Sequence, residues 1–302
     1  MSAGGRVLVG TSGWLYGSWR GDFYPRGLPH ARELAYLATR LPTVEVNGTF
    51  YSLTRPAACD GWRRQVPDDF VFAIKGSRYI THMLKLRHYE APMANFFASG
   101  LLRLGPTLGP ILWQLPPQLP FDRDRAQEFF AALPRDVAGA ERWARRHDAR
   151  TTGRAALTAA GGSKAARLRH AVEIRHASWL GDDALALMRA FDVALVAADT
   201  AGRHPLSVER TATFAYVRLH GATQLYASQY GPTELAPWAK RIATWARSGA
   251  DVFVYFDNDA HGHAPHDALR LREMLDRRGV RVAAPRSAEV ASAREGGDAH
   301  VA

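Results

Sequence analysis

Four carboxylates, three cations and a histidine stand at or near the C-terminal edges of short apolar runs along this 302-residue chain: Glu45, Glu173, Asp199, Asp257, Lys75, Arg175, Arg218 and His220. Gln114 and Asn47 add two amides in equivalent places. Groups of these types suit general acid/base chemistry, which needs proton carriers beside fixed charges that stabilise an anion. Glu45 or Glu173 would act as base or acid and His220 as a second proton carrier. Lys75, Arg175 and Arg218 would hold negative charge that a substrate carries or that develops in the transition state. Unpaired in a protein interior, such charges cost several kcal/mol each, so they must pair, bind ligand or stay wet. A self-neutralising salt network is the competing account of the same residues.

Aromatic residues crowd the segments that follow these edges: Trp14, Tyr16, Trp19, Phe23, Tyr24, Phe50, Tyr51, Tyr79 and Trp179. Beside Arg78, His82 and Arg175 they suit stacking on a sugar or base, with cations for a phosphate or carboxylate. The expected substrate contacts therefore include Ser12, Trp14, Asn47, Tyr51, Arg78, His82, Gln114, Trp179 and Asn258. In Gly262–Asp267, read as Gly-His-Ala-Pro-His-Asp, histidines could bind a metal. Anion capture by loop amides and a helix N-terminus ranks higher there, through Gly262 and His263.

The elements that must position these groups follow from the apolar runs. Strands are expected at Val7–Gly10, Thr43–Val46, Phe70–Ile74, Ile111–Trp113, Ala171–Ile174, Ala194–Ala198, Tyr216–Leu219 and Asp251–Phe256. Chemistry confined to one end of every strand means that all run the same way, and parallel strands need crossovers. Helical periodicity over 30–40, 56–66, 122–133, 182–191, 233–248 and 265–278 supplies most of them. The sequence thus predicts an α/β fold, a single (β/α)8 TIM-type barrel over residues 1–284 with its site at the C-terminal face. Strand alternation sends Thr43, Glu45 and Asn47, Glu173 and Arg175, and Tyr216, Arg218 and His220 inward. Lys75, Gln114, Asp199 and Asp257 are expected in the matching register. Adjacent strands would pair Glu45 with Lys75, Arg175 with Asp199, and Arg218 or His220 with Asp257. Glu173 would be left with weak compensation, a raised pKa and the proton-transfer role.

The formal net charge of +10 invites a nucleic-acid partner, but arginine carries nearly all of it; Lys75, Lys85, Lys164 and Lys240 are the lysines. Residues 134–169 read as an arginine-rich surface helix and a flexible loop, dispensable for the site. Residues 285–302 read as a disordered tail. Cys59 stands alone, so neither an intrachain disulfide nor a thiolate zinc site is expected. No apolar leader or membrane-length run is present, which implies a cytoplasmic protein with no membrane partner.

Seven segments carry a family resemblance: Gly10–Trp14, Val44–Tyr51, Phe72–His82, Leu115–Pro117, Ala171–Trp179, Tyr216–Gly221 and Tyr255–Pro265. They resemble, in order over roughly residues 6–280, the YecE-like family of uncharacterised conserved proteins. That resemblance implies a TIM-type barrel with no settled activity and motif positions at Glu45, Asn47, Lys75, Glu173, Arg175, Arg218, His220 and Asn258. Asp257 stands where the family more often has asparagine. The leading expectation is an enzyme acting on a small anionic, ring-containing compound such as a phosphorylated sugar or a nucleotide-like molecule, without a cofactor. The alternatives are a metal-dependent nuclease or isomerase of the endonuclease IV type, using Glu45, Glu173, Asp199, Asp257 and His263, and a non-catalytic binding barrel.

Overall fold

Eight β-branched and aliphatic stretches form the strands: β1 (Val7–Ser12), β2 (Thr43–Val46), β3 (Val71–Lys75), β4 (Leu108–Gln114), β5 (His170–Glu173), β6 (Val193–Asp199), β7 (Phe214–Leu219) and β8 (Asp251–Phe256). In the computed structural model, which describes residues 4–285, each strand pairs in parallel with the next, and β8 closes on β1. The architecture is the single (β/α)8 barrel that the strand ends predict. The expected tail lies outside the described residues apart from Pro285.

Among the described residues the helices are α1 (Glu33–Ala38), α2 (Gly48–Tyr51), α3 (Pro56–Arg63), α4 (Glu90–Ala98), α5 (Arg123–Ala132), α6 (Val137–Ala144), α7 (Asp182–Ala190), α8 (Pro232–Arg247) and α9 (Ala264–Asp276). Proline in the first turn of α3, α8 and α9 and the Asp122 and Asp136 side-chain caps of α5 and α6 set their starts. Helix α4 escapes the periodicity argument because it is enclosed: Met93 to Ala98 are all buried, so no polar face marks it. No helix bridges β6 and β7; the chain crosses there as a loop.

Two separate apolar clusters confirm the alternation. Leu8, Ala73, Leu112, Ala171, Val196, Phe214 and Phe253 fill the barrel interior, whereas Val9, Val44, Ile74, Trp113, Val172 and Val254 pack outward under the helices. Above the interior cluster, Tyr216 and Tyr255 lie with ring centroids 5.2 Å apart and form the floor of the mouth. Gly10 lets β1 approach β2: a Cβ there would sit 2.0 Å from the Thr43 carbonyl oxygen.

The arginine-rich segment is anchored along its length rather than hung from the surface. Helix α6 buries Val137, Ala140 and Ala144. Beyond it, the Ala156 and Ala160 amides donate to the carbonyls of Ala98 and Leu102 at 2.8 and 3.0 Å. Asn95 Oδ1 accepts from the Asp148 amide (3.1 Å) and Thr151 Oγ1 (2.9 Å). Glu141, almost fully buried, pairs with Lys164 and accepts from the Ala159 amide at 2.9 Å. The expectation of a dispensable loop meets this physical objection: removing 142–164 strips partners from buried groups on α4 and α6. We predict that such a deletion, bridged by Gly-Ser, costs about 2–4 kcal/mol, read as a lower urea midpoint. An unchanged midpoint would show that these contacts carry no net stability.

Candidate functional site

The mouth is organised around one guanidinium. Arg218, fully buried on β7, donates through Nε to Glu45 Oε2 (3.1 Å) and through Nη2 to Glu45 Oε1 (2.7 Å), a two-pronged ion pair across the barrel. Its Nη1 donates to Glu173 Oε2 at 2.7 Å and its Nη2 to Asp257 Oδ2 at 2.9 Å. Ser12 Oγ accepts from Nη2 at 3.0 Å and in turn donates to Glu45 Oε1. Tyr216 donates to Glu45 Oε2 at 2.6 Å, and Asn47 Nδ2 donates to Ser12 Oγ at 2.8 Å. Glu173 Oε1 accepts from Gln114 Nε2 (2.7 Å) and Arg175 Nη2 (3.1 Å). His220 places Nδ1 3.0 Å from Asp257 Oδ2 but without an aligned hydrogen bond.

These contacts fix the proton affinities. Desolvation would raise the Glu173 pKa, but Arg218, His220, Arg175 and Lys75 outweigh it and hold the carboxyl well below its usual range. Asp257 is lowered by the same balance, burial opposed chiefly by Arg218. The expectation that Glu173 has a raised pKa is therefore overturned, because Arg218 reaches across the barrel and Arg175 turns back onto Glu173. The pairing argument fails twice more for the same reason: Glu45 is taken by Arg218 rather than Lys75, and Arg175 bonds Glu173 rather than Asp199. The pairing of both Arg218 and His220 with Asp257 is present.

Asp199 leaves the ring altogether. Val196 and Ala198 face inward, so Asp199, one residue on, points outward and accepts from the Tyr230 hydroxyl at 2.9 Å. Trp14 and Trp179 are also core residues: Trp14 packs edge-on against Trp62 at 5.5 Å, and Trp179 donates to the Leu119 carbonyl. Asn258 is a strut, donating to the Ser228 carbonyl and to Asp267 at 2.9 and 2.8 Å. Gly262 lies against the Ser18 backbone, and His263 caps α9 with its ring 6.0 Å from that of His261.

On the β3 side the mouth is cationic and aromatic. Lys75 is 8% exposed, with its Nζ 4.3 Å above the Phe50 ring centroid. Burial, then Arg218, lowers its pKa to about 8 against the partial support of Glu173, Glu45 and Asp257. His82 stands edge-on to Phe50 at 5.1 Å, and its pKa is lowered to about 4 by burial and then by Arg175, Lys75 and Arg78. Tyr51 is 69% exposed, with Arg78 6.0 Å from its ring. Gly76 lets the chain turn out of β3 directly over Trp113, where a Cβ would meet the indole at 2.3 Å.

Sequence reasoning passed over two residues here. Tyr226 stands edge-on to His220 at 5.4 Å and supports the Arg175 charge, with φ at +63°, a left-handed conformation that a bulky aromatic rarely adopts. No sequence signal marks it. Asp259, two residues beyond Asp257, accepts from Trp19 Nε1 at 2.9 Å; burial and then Asp257 raise its pKa well above the carboxylate range.

The donor set does not suit a divalent ion. Arg218 occupies the space between Glu45, Glu173 and Asp257, and Asp199 faces outward. Among the described residues no three His, Cys, Asp or Glu side chains converge as metal ligands.

Residues 8–291 match the family described as "Protein of unknown function DUF72". The chain belongs to this family. It is similar to UPF0759 protein YunF of Bacillus subtilis (strain 168), at 22% identity over 89% of this chain and 95% of that protein. It is also similar to UPF0759 protein YecE of Escherichia coli (strain K12), at 30% identity over 110 residues. That match spans 36% of this chain and 38% of the relative, well under half of either. Among solved structures, a DUF72 family protein from Thermotoga maritima superposes with TM-score 0.70 at 24% identity, covering 90% of this chain and 99% of that one. A DUF72 protein from Enterococcus faecalis superposes with TM-score 0.67 at 18% identity, covering 89% and 95%. At these identities the likeness establishes the DUF72 barrel and nothing about its chemistry. Among the described residues no helix is long and apolar enough to cross a membrane.

Two predictions follow from the Arg218 cluster. Replacing Arg218 with Met should destabilise the fold by about 3–5 kcal/mol in chemical denaturation, because three carboxylates lose their shared cation. Glu173 and Asp257 have depressed folded pKa values, so their contribution is complete above the unfolded values, near 4, and is lost as pH falls through the folded ones. Melting curves of Glu173→Gln should therefore fall less steeply with acid than wild type below about pH 4. Parallel acid limbs would remove Glu173 from the linkage.

Proposed function

We propose that this DUF72 protein is an enzyme that acts by general acid/base chemistry on a small anionic, ring-containing compound, of the phosphorylated-sugar or nucleotide-like class. The observation that carries the reading is the cationic corner around Phe50. Lys75, Arg175, Arg78 and His82 converge there, and among the described residues no carboxylate other than Glu173 is bonded to any of them. His82 is disfavoured as a cation first by burial and then by Arg175, Lys75 and Arg78, and an incoming anion would offset those three charges. Phe50, Tyr51 and Tyr226 offer ring faces and edges beside it.

The proton-carrying role moves to Lys75. Glu173 and Asp257, held below the usual carboxylate range chiefly by Arg218, stay ionised and make weak bases. Lys75, with a pKa of about 8, can both hold and release a proton at physiological pH. A further polar atom at the mouth, Asn47 Oδ1, is buried with no hydrogen-bond partner among the described residues and is available to a bound molecule. Arg175 is well suited to hold the anion: desolvation opposes its charge, but Glu173 and Tyr226 raise its pKa above the usual arginine value.

The test is binding first. Inorganic phosphate, ribose 5-phosphate or AMP at about a hundredfold its Kd should add about 2.7 kcal/mol, several degrees in Tm, equally with and without EDTA. The shift should vanish in Arg175→Gln/Lys75→Met. Proton NMR gives a second readout: the His82 midpoint, near 4 in the free protein, should rise with phosphate bound because the anion offsets Arg175, Lys75 and Arg78. If none of these anions raises Tm, the reading fails; an EDTA-sensitive shift would favour a metal-dependent nuclease or isomerase instead.

A further inference from the structure

Lys75 differs from the other lysines in kind. Lys85 and Lys240 are exposed, and Lys164 is 56% exposed and paired with Glu141. Lys75 is buried at the end of β3, and among the described residues its Nζ has neither a hydrogen bond nor an ion-pair partner; the Phe50 face is its contact. Carboxylates are close enough to feel its charge, yet Arg218 and Arg175 have already claimed Glu45, Glu173 and Asp257. We infer that the Lys75 amine is a nucleophile that condenses with the carbonyl carbon of a small anionic aldehyde or ketone to give a protonated Schiff base. The choice of an anionic carbonyl compound rests on the proposed function; the nucleophile rests on the geometry of the amine.

The charge balance of the ring supports this chemistry. Glu45, Glu173 and Asp257 face two guanidiniums, Arg175 and Arg218, with His220 Nδ1 3.0 Å from Asp257 Oδ2, and a cation at Lys75 Nζ is favoured by all three carboxylates. A protonated amine supplies that cation but has no lone pair. The iminium supplies it too, and it keeps the charge at the same atom. The ring is thus arranged to stabilise the product of condensation more than the neutral amine that starts it. A desolvated lysine beside another cation is the general means of keeping an amine unprotonated near neutral pH. Arg218 is that cation, and the resulting pKa of about 8 leaves a reactive fraction.

The step balances as follows. The Nζ lone pair attacks the carbonyl carbon, the C=O π pair moves to oxygen, and the nitrogen, now cationic, gives up a proton as the oxygen takes one. From the carbinolamine the nitrogen lone pair re-forms a π bond to carbon as the oxygen leaves with its protons as water. Amine, carbonyl and one proton from solvent give iminium and water, with no oxidant or reductant. Arg175, Arg78 and His82 flank the amine where the phosphate or carboxylate of such a compound would rest.

The experiment is reductive trapping. The full chain is incubated with pyridoxal 5′-phosphate, a ring-bearing phosphorylated aldehyde, or with pyruvate, then treated with sodium borohydride and peptide-mapped by mass spectrometry. Lys75 should be labelled at least tenfold faster than Lys85, Lys164 or Lys240, and inorganic phosphate should slow labelling. The rate should climb through a midpoint near 8, set by Arg218 on β7, Glu173 on β5, Glu45 on β2 and Asp257 after β8. Lys75→Arg, which keeps the cation but cannot condense, should fold and lose the label while the other lysines keep theirs; Lys75→Met serves if the arginine is not accommodated. Equal labelling of all lysines, or none at Lys75, overturns the nucleophile. If phosphate still raises Tm in that case, the anion site stands without it; if phosphate does not, both readings fall.

Discussion

A guanidinium with no solvent exposure survives only if its desolvation, several kcal/mol, is repaid by good geometry on every side. Arg218 meets that demand with carboxylates from the ends of β2, β5 and β8, of which Glu45 is 173 residues away in sequence. No sheet edge could deliver them. The barrel must close before Glu45 can face Arg218 from the opposite wall, so closure and charge compensation are one event. Tyr216 and Ser12 then use the remaining lone pairs of Glu45, and Gln114 takes one of Glu173. A single unsatisfied member would make this network less stable than an apolar plug.

The cost of that arrangement shapes the rest of the mouth. Carboxylates committed to Arg218 cannot serve as strong bases, and they cannot close on Lys75. The amine is left against Phe50, where burial and a like charge act on it together. On the far side, Asp259 takes the opposite course. Buried, without a cation of its own and beside Asp257, its carboxyl is pushed well above the usual range, and it accepts from Trp19, which ties the loop after β1 to the loop after β8. One ring therefore contains carboxyl groups driven in both directions, decided by whether a guanidinium is within reach.

Strand direction, barrel closure and the inward set Glu45, Lys75, Gln114, Glu173, Arg175, Arg218 and His220 were legible because a period of two is strict wherever one face meets a helix. The same rule misplaces Asp199 when the inward phase of β6 is judged from where the run ends rather than from Val196 and Ala198. Trp14 and Trp179 read as ligand contacts because a loop position does not reveal whether an indole turns outward or into the outer core. Strand adjacency found the pairing of Arg218 and His220 with Asp257 but not the other ion pairs, since an arginine at the centre of a barrel reaches several strands at once. Helix α4 and Tyr226 left no pattern, the first because burial on all sides removes amphipathicity, the second because its role depends on a backbone conformation that sequence does not announce.

A salt network that existed only to neutralise itself would be expected to consume its own donors. This one stops short. Lys75 Nζ lies at the same C-terminal mouth as Asn47 Oδ1, both with no hydrogen-bond partner among the described residues, while below them every polar atom of Glu45, Glu173 and Arg218 is engaged. Each unmade bond costs on the order of 1–3 kcal/mol. A fold that completes its lower tier and leaves the upper one open bears that cost where a molecule entering from solvent would relieve it. His82 makes the same point electrostatically, since three cations around an imidazole are a poor arrangement until an anion joins them.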